Sequence, residues 1–131
     1  MTTEQHEQQI GLVTSHHAPS QLARGTSLSA YLTIDYAVLC EQFGAPVIRT
    51  DQYKTDAEWH VSINRHFVTI YNYKNGPAYG VDTTVEQIDH WHVGSRDQES
   101  ISVLHDLLTR DERAHEIQRH AHMDDSRVLS F

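Results

Sequence analysis

Lys54 and Lys74 are the only lysines in a chain of 131 residues that has eight arginines. Lysine is ordinarily common on protein surfaces, and here both copies fall inside aromatic motifs. The first motif is Tyr53-Lys54-Thr55, followed by Trp59; the second is Tyr71-x-Tyr73-Lys74. A third aromatic motif, Trp91-His92-x-Gly94-Ser95, precedes a helical pattern. Together they supply the chemistry that holds a planar anion. Ammonium groups take phosphates, the rings of Trp59, Tyr71, Tyr73 and Trp91 stack against or wall a flat group, and Thr55, His92 and Ser95 donate hydrogen bonds. Backbone amides at Gly94-Ser95, ahead of the helix, would add an anion-binding turn. The inventory fits a small, anionic, nucleotide-like ligand. Trp59, Val61, Ile70 and Trp91 fit an ordinary hydrophobic core equally well.

Other chemistries have less behind them. His90 and His92 are two apart and share a face if they lie on a strand, so they could chelate an ion given a third ligand; His120-x-His122 and His16-His17 are weaker candidates. The sequence has no HExxH, CxxC or His-x-Glu spacing, and no metal or cofactor is expected. Asp56 and Glu58 could pair as carboxylates, but at the entrance to a strand they read as solvated. Neither G-x-S-x-G nor G-x-x-x-x-G-K-[ST] occurs, so no catalytic residue is assigned. Cys40 is a lone cysteine in the apolar run AVLC, where a buried thiol is the usual outcome.

These residues need a scaffold. Residues 1–26 are rich in Gln, Ser, Thr and His and read as a flexible arm with a short strand at Ile10–Val13. Residues 27–110 read as one domain. Leu28, Ala30 and Leu32 alternate with polar neighbours as a short strand, exposed to pairing. Thr33 is placed to cap a helix running to Phe43, with Gly44 and Pro46 ending it. Trp59, Val61 and Ile63 alternate along a second strand, Asn64-Arg65 forms the turn, and His66–Tyr73 returns as a third strand covered on both faces for part of its length. Asp89–Gly94 is a last short strand, with Trp91 and Val93 opposite His90 and His92. Ser95 or Asp97 then caps a helix bearing the apolar stripe Ile101, Leu104 and Leu108. Residues 111–131 are charged and read as a helical extension or a tail, with Glu116 paired to Arg119 or His120. The order β-α-β-β-β-α implies an α+β fold, a small antiparallel sheet of three to five strands with two helices packed on it.

Composition narrows the partners. A formal charge of −8 argues against binding duplex nucleic acid, which relies on Lys and Arg to neutralise phosphates. No long apolar stretch or signal-like N-terminus suggests a membrane, so a soluble protein of the cytoplasm is expected. The exposed strand at Leu28–Leu32 and the large apolar faces point to a homo-oligomer, most simply a dimer.

The strings Phe43-Gly44-x-Pro46, Asp51-x-Tyr53-Lys54-Thr55-Asp56-Ala57-Glu58-Trp59, Thr69-Ile70-Tyr71-Asn72-Tyr73-Lys74 and Trp91-His92-Val93-Gly94 resemble a widespread group of small phage and prophage proteins. The resemblance spans roughly Leu28 to Leu108; it departs from the group's pattern at Asn64-Arg65 and at Ser95, where glycines are more usual. It implies a host-takeover or anti-defence factor acting in the host cytoplasm. The expected function is a non-enzymatic protein that sequesters a small, cyclic-nucleotide-like immune signal through Lys54, Thr55, Trp59, Tyr71, Tyr73, Lys74, Trp91, His92 and Ser95. The alternative is an acidic inhibitor that binds a nucleic-acid-targeting effector such as a CRISPR or restriction complex. A metal-dependent hydrolase built on the histidines ranks third.

Overall fold

A computed structural model describes residues 13–16, 24–48, 54–110, 116–120 and 128–130. The expected arm and tail therefore fall largely outside the described residues, as do Tyr53, His17 and His122. Eight strands are described: β1 (Val13–His16), β2 (Ser27–Thr33), β3 (Val47–Ile48), β4 (Ala57–Ile63), β5 (His66–Tyr71), β6 (His90–Ser95), β7 (Glu116–Arg119) and β8 (Val128–Ser130). They form one sheet in the order β1-β4-β5-β6-β2-β7-β8, with β3 also beside β4, and every pairing is antiparallel. Two helices, α1 (Tyr36–Phe43) and α2 (Gln98–Leu108), complete an α+β fold.

Strand alternation decides what the helices cover. Side chains on a strand point to opposite faces in turn, and in β4 the residues Ala57, Trp59, Val61 and Ile63 are all buried. Their register partners continue that face through Val68 and Ile70 of β5, Trp91 and Val93 of β6, Ala30 and Leu32 of β2, and Ile117 of β7. Val38, Leu39 and Phe43 of α1 and Ile101, Leu104, Leu107 and Leu108 of α2 join the same core. The opposite, open face carries Glu58, His60, Phe67, Thr69, Tyr71, His92 and Tyr31. Phe67 and Thr69 are buried there, so β5 is covered on both sides over part of its length, as its sequence suggests.

Local signals explain the ends. Asn64 takes a positive φ of 57° in the two-residue turn joining β4 to β5. Asn tolerates that region better than other non-glycine residues, so the turn works without glycine. Gly44 closes α1 at φ 83°, its N–H donating to the Cys40 carbonyl. Asp97 caps α2 by accepting from the Ser100 amide at 2.9 Å; a bond from the Ser100 hydroxyl, and after it this backbone bond, hold its carboxyl below the usual range.

Four expectations need correcting. The sheet has more than five strands. Of the strand expected at Ile10–Val13 only Val13 lies among the described residues, where it opens β1. Thr33 does not cap α1, because it remains in β2 opposite His90, and Asp35 takes the N-cap position without a side-chain bond. The expected C-terminal helix is replaced, where described, by strands: β7 pairs with β2 and β8 with β7. That pairing also places β2 between β6 and β7, so Leu28–Leu32 is not the exposed strand that was expected.

Candidate functional site

One rung of the sheet crosses five strands on the open face. Glu58 lies opposite Tyr71, Tyr71 opposite His92, His92 opposite Tyr31, and Tyr31 opposite Gln118. Neighbouring strands are about 4.8 Å apart, so consecutive rings on such a rung must touch. Tyr31 meets His92 edge-on at 5.3 Å between ring centres, and Tyr71 meets it at 5.5 Å. Tyr73, just beyond the end of β5, adds a tilted ring 5.2 Å from His92, and His120 lies 5.7 Å from Tyr31. The result is an aromatic row, Tyr73-His92-Tyr31-His120, with Tyr71 beside its centre. Tyr31 and Tyr73 are each 39% exposed.

Both lysines stand at the Tyr73 end. The Lys54 Nζ is 6.0 Å from the centre of the Tyr73 ring and the Lys74 Nζ is 5.2 Å from it, and the Lys74 Nζ is also 5.8 Å from the centre of the Tyr79 ring. The Lys74 amide donates to the Lys54 carbonyl at 2.8 Å, tying the two segments together. Around them runs a closed set of hydrogen bonds. Asn72 Oδ1 accepts from the Asp56 and Ala57 amides, Asn72 Nδ2 donates to Asp56 Oδ2, and Asp56 Oδ1 accepts from the Ala78 amide. Gly76 is required in this frame, because a Cβ there would collide with the Asp56 carboxylate.

The protonation states suit stacking with neutral rings. Burial, with the nearby His120 second, lowers the pKa of His92 from its ordinary value. Burial, followed by the charge of Glu58, raises that of Tyr71, so its phenol stays a hydrogen-bond donor. A histidine whose folded pKa is depressed is neutral in the fold but protonated in the unfolded chain below its ordinary pKa. The unfolded state then binds more protons, and stability falls as pH drops below about 6.5. His92→Gln should therefore show a smaller loss of stability between pH 7.5 and 5.5 than the parent in urea unfolding. An equal loss in both proteins would remove this assignment.

Of the nine expected site residues, Lys54, Tyr71, Tyr73, Lys74 and His92 come together on the open face. The other four do not. Trp59 and Trp91 point into the core at 2% and 1% exposure, and their indole N–H groups donate to the Gly44 and Ile34 carbonyls. Thr55 is buried. Ser95 is fully buried in β6, its hydroxyl bonded to Ser29 and to the Asp97 carbonyl, so Gly94-Ser95 is ladder strand rather than an amide-lined turn. Tyr31 and His120 belong to the site and were not expected. Alternation along β2 puts Tyr31 on the polar face, but only the pairing of β2 with β6 brings it to His92.

His90 and His92 do share a face, yet His90 is exposed beside Asp89 and Thr33 while His92 is packed among tyrosines. Among the described residues no cluster of three or more His, Cys, Asp or Glu side chains could hold a metal ion, and no helix is long and apolar enough to cross a membrane. No protein-family model, curated protein or solved structure matches the chain.

Proposed function

We propose that this chain is a non-enzymatic binding protein that captures a small, anionic, nucleotide-like ligand on the open face of its sheet, in a phage-type anti-defence role that sequesters an immune signal. The reading rests on one observation: a row of four aromatic rings with two ammonium groups gathered at one end. A base stacked on such rings contributes about 1–3 kcal/mol per contact, and lysine supplies the counter-charge for phosphate.

The test is calorimetry of the full chain against nucleosides, nucleoside monophosphates, cyclic mono-, di- and trinucleotides and cyclic ADP-ribose isomers. At least one should bind, and Tyr31→Ala should weaken it roughly five- to a hundredfold through lost stacking. The net charge of −8 favours a second reading, an acidic inhibitor that occupies the nucleic-acid site of an effector. It takes over if none of these compounds binds and a nucleic-acid-targeting host complex is retained on the immobilised protein.

A further inference from the structure

We infer that the ligand carries its negative charge at one end, as a terminal phosphomonoester on a nucleoside or short linear oligonucleotide, rather than as a diester closed into a ring. This rests on the proposed open-face site and concerns the class of molecule that fits it. The charge along the aromatic row is strongly uneven. Lys54 and Lys74 both approach the Tyr73 ring. Arg119 projects to the helix side, where it binds Gln98 and Ser102, and Arg96 is held on the Arg24 carbonyl. Arg65 lies in the β4–β5 turn and Arg110 follows α2.

The middle of the row is flanked by carboxylates instead. Glu58 stands next to Tyr71 on the shared rung, mostly buried and 3.4 Å from the His60 ring, and Glu116, exposed at the end of β7, lies opposite Thr33, two residues along β2 from Tyr31. A phosphate beside Tyr73 faces two ammonium groups, whereas one at the Tyr31 end approaches the exposed Glu116 carboxylate. The backbone that carries the two lysines is also held in place before any ligand arrives. Lys74 is held at a positive φ of 60°, its amide is bonded to the Lys54 carbonyl, and the Asp56–Asn72 frame pins the segments on either side. Two ammonium groups beside one ring match the dianion of a terminal phosphate, which offers three oxygens, better than a diester with one charge.

The experiment compares, on the full chain, one nucleoside with its 5′-monophosphate and its 3′,5′-cyclic monophosphate, the base being the best binder from the panel. The 5′-monophosphate should bind at least tenfold tighter than either of the others. Lys74→Ala should abolish most of that advantage while leaving nucleoside affinity within about twofold. If the cyclic ester or the nucleoside binds as tightly as the monophosphate, the inference is overturned while the open-face site stands. If the advantage survives in Lys74→Ala, the phosphate is held elsewhere and the inference is also overturned. If no nucleotide binds at all, the failure belongs to the proposed function itself.

Discussion

Replacing Trp91 with Ala should lower the stability of the fold by about 3–5 kcal/mol, the range for removing a large aromatic side chain from a packed core. Trp91 is central to the helix-covered face of the sheet. It meets Trp59 edge-on at 5.3 Å and lies 6.4 Å from Tyr36 of α1 in a stacked arrangement. Its indole N–H donates to the Ile34 carbonyl at 3.0 Å, while the Ile34 amide donates to the Asp89 carbonyl. The tryptophan thus fixes the residue where β2 gives way to α1. Trp91→Phe keeps much of the volume but leaves that carbonyl unsatisfied, at a further cost of about 1–3 kcal/mol. Urea unfolding measures both effects. Ligand affinity of the folded Trp91→Phe variant should match the parent's, because the indole faces away from the aromatic row. A stability loss below about 1 kcal/mol for Trp91→Ala, or a tenfold loss of affinity in folded Trp91→Phe, would put the side chain back in the binding site.

The tryptophans show where the sequence is readable and where it is not. Period-two alternation in Glu58–Ile63 and Phe67–Tyr73 separates two faces correctly, because it depends only on neighbours along one strand. It leaves open which face the helices cover. The motifs therefore mix core residues with open-face residues: Trp59 and Tyr71 sit opposite ways, as do Trp91 and His92. Ser95 was misplaced for a related reason, since β6 runs one residue further than its apolar pattern and carries the serine into the ladder. Thr33 likewise has the chemistry of a helix cap, but pairing with His90 keeps it in the strand. Tyr31 reaches His92 through a pairing between segments about sixty residues apart, which no local pattern encodes. Residues 116–119, Glu-Ile-Gln-Arg, have the composition of an exposed helix. They form a strand because the edge of β2 offers unpaired backbone groups, and Ile117 is buried there opposite Leu32. Strand preference depends on such context more than helix preference does.

The lysines were legible because they are rare, and removing both should have the largest effect on binding. A charge-assisted contact to phosphate is worth about 1.5–3 kcal/mol, so Lys54→Ala with Lys74→Ala should weaken a phosphate-bearing ligand roughly a hundred- to ten-thousandfold. The two share one phosphate, and contacts to a common group are not strictly additive, which places the expected result toward the lower end. Stability should fall by no more than about 1–2 kcal/mol. Each ammonium group contributes a cation–ring contact of about 0.5–1 kcal/mol at an exposed site, and the frame that shapes the loop is made by Asn72, Asp56 and backbone amides rather than by lysine side chains. Salt separates charge from shape: affinity of the parent should fall steeply as ionic strength rises, and that of the double variant should be nearly flat. Calorimetry at two salt concentrations beside a urea melt reads all three quantities. If the double variant keeps the parent's affinity and salt dependence, the two ammonium groups do not hold the ligand and the open face must bind by its rings alone.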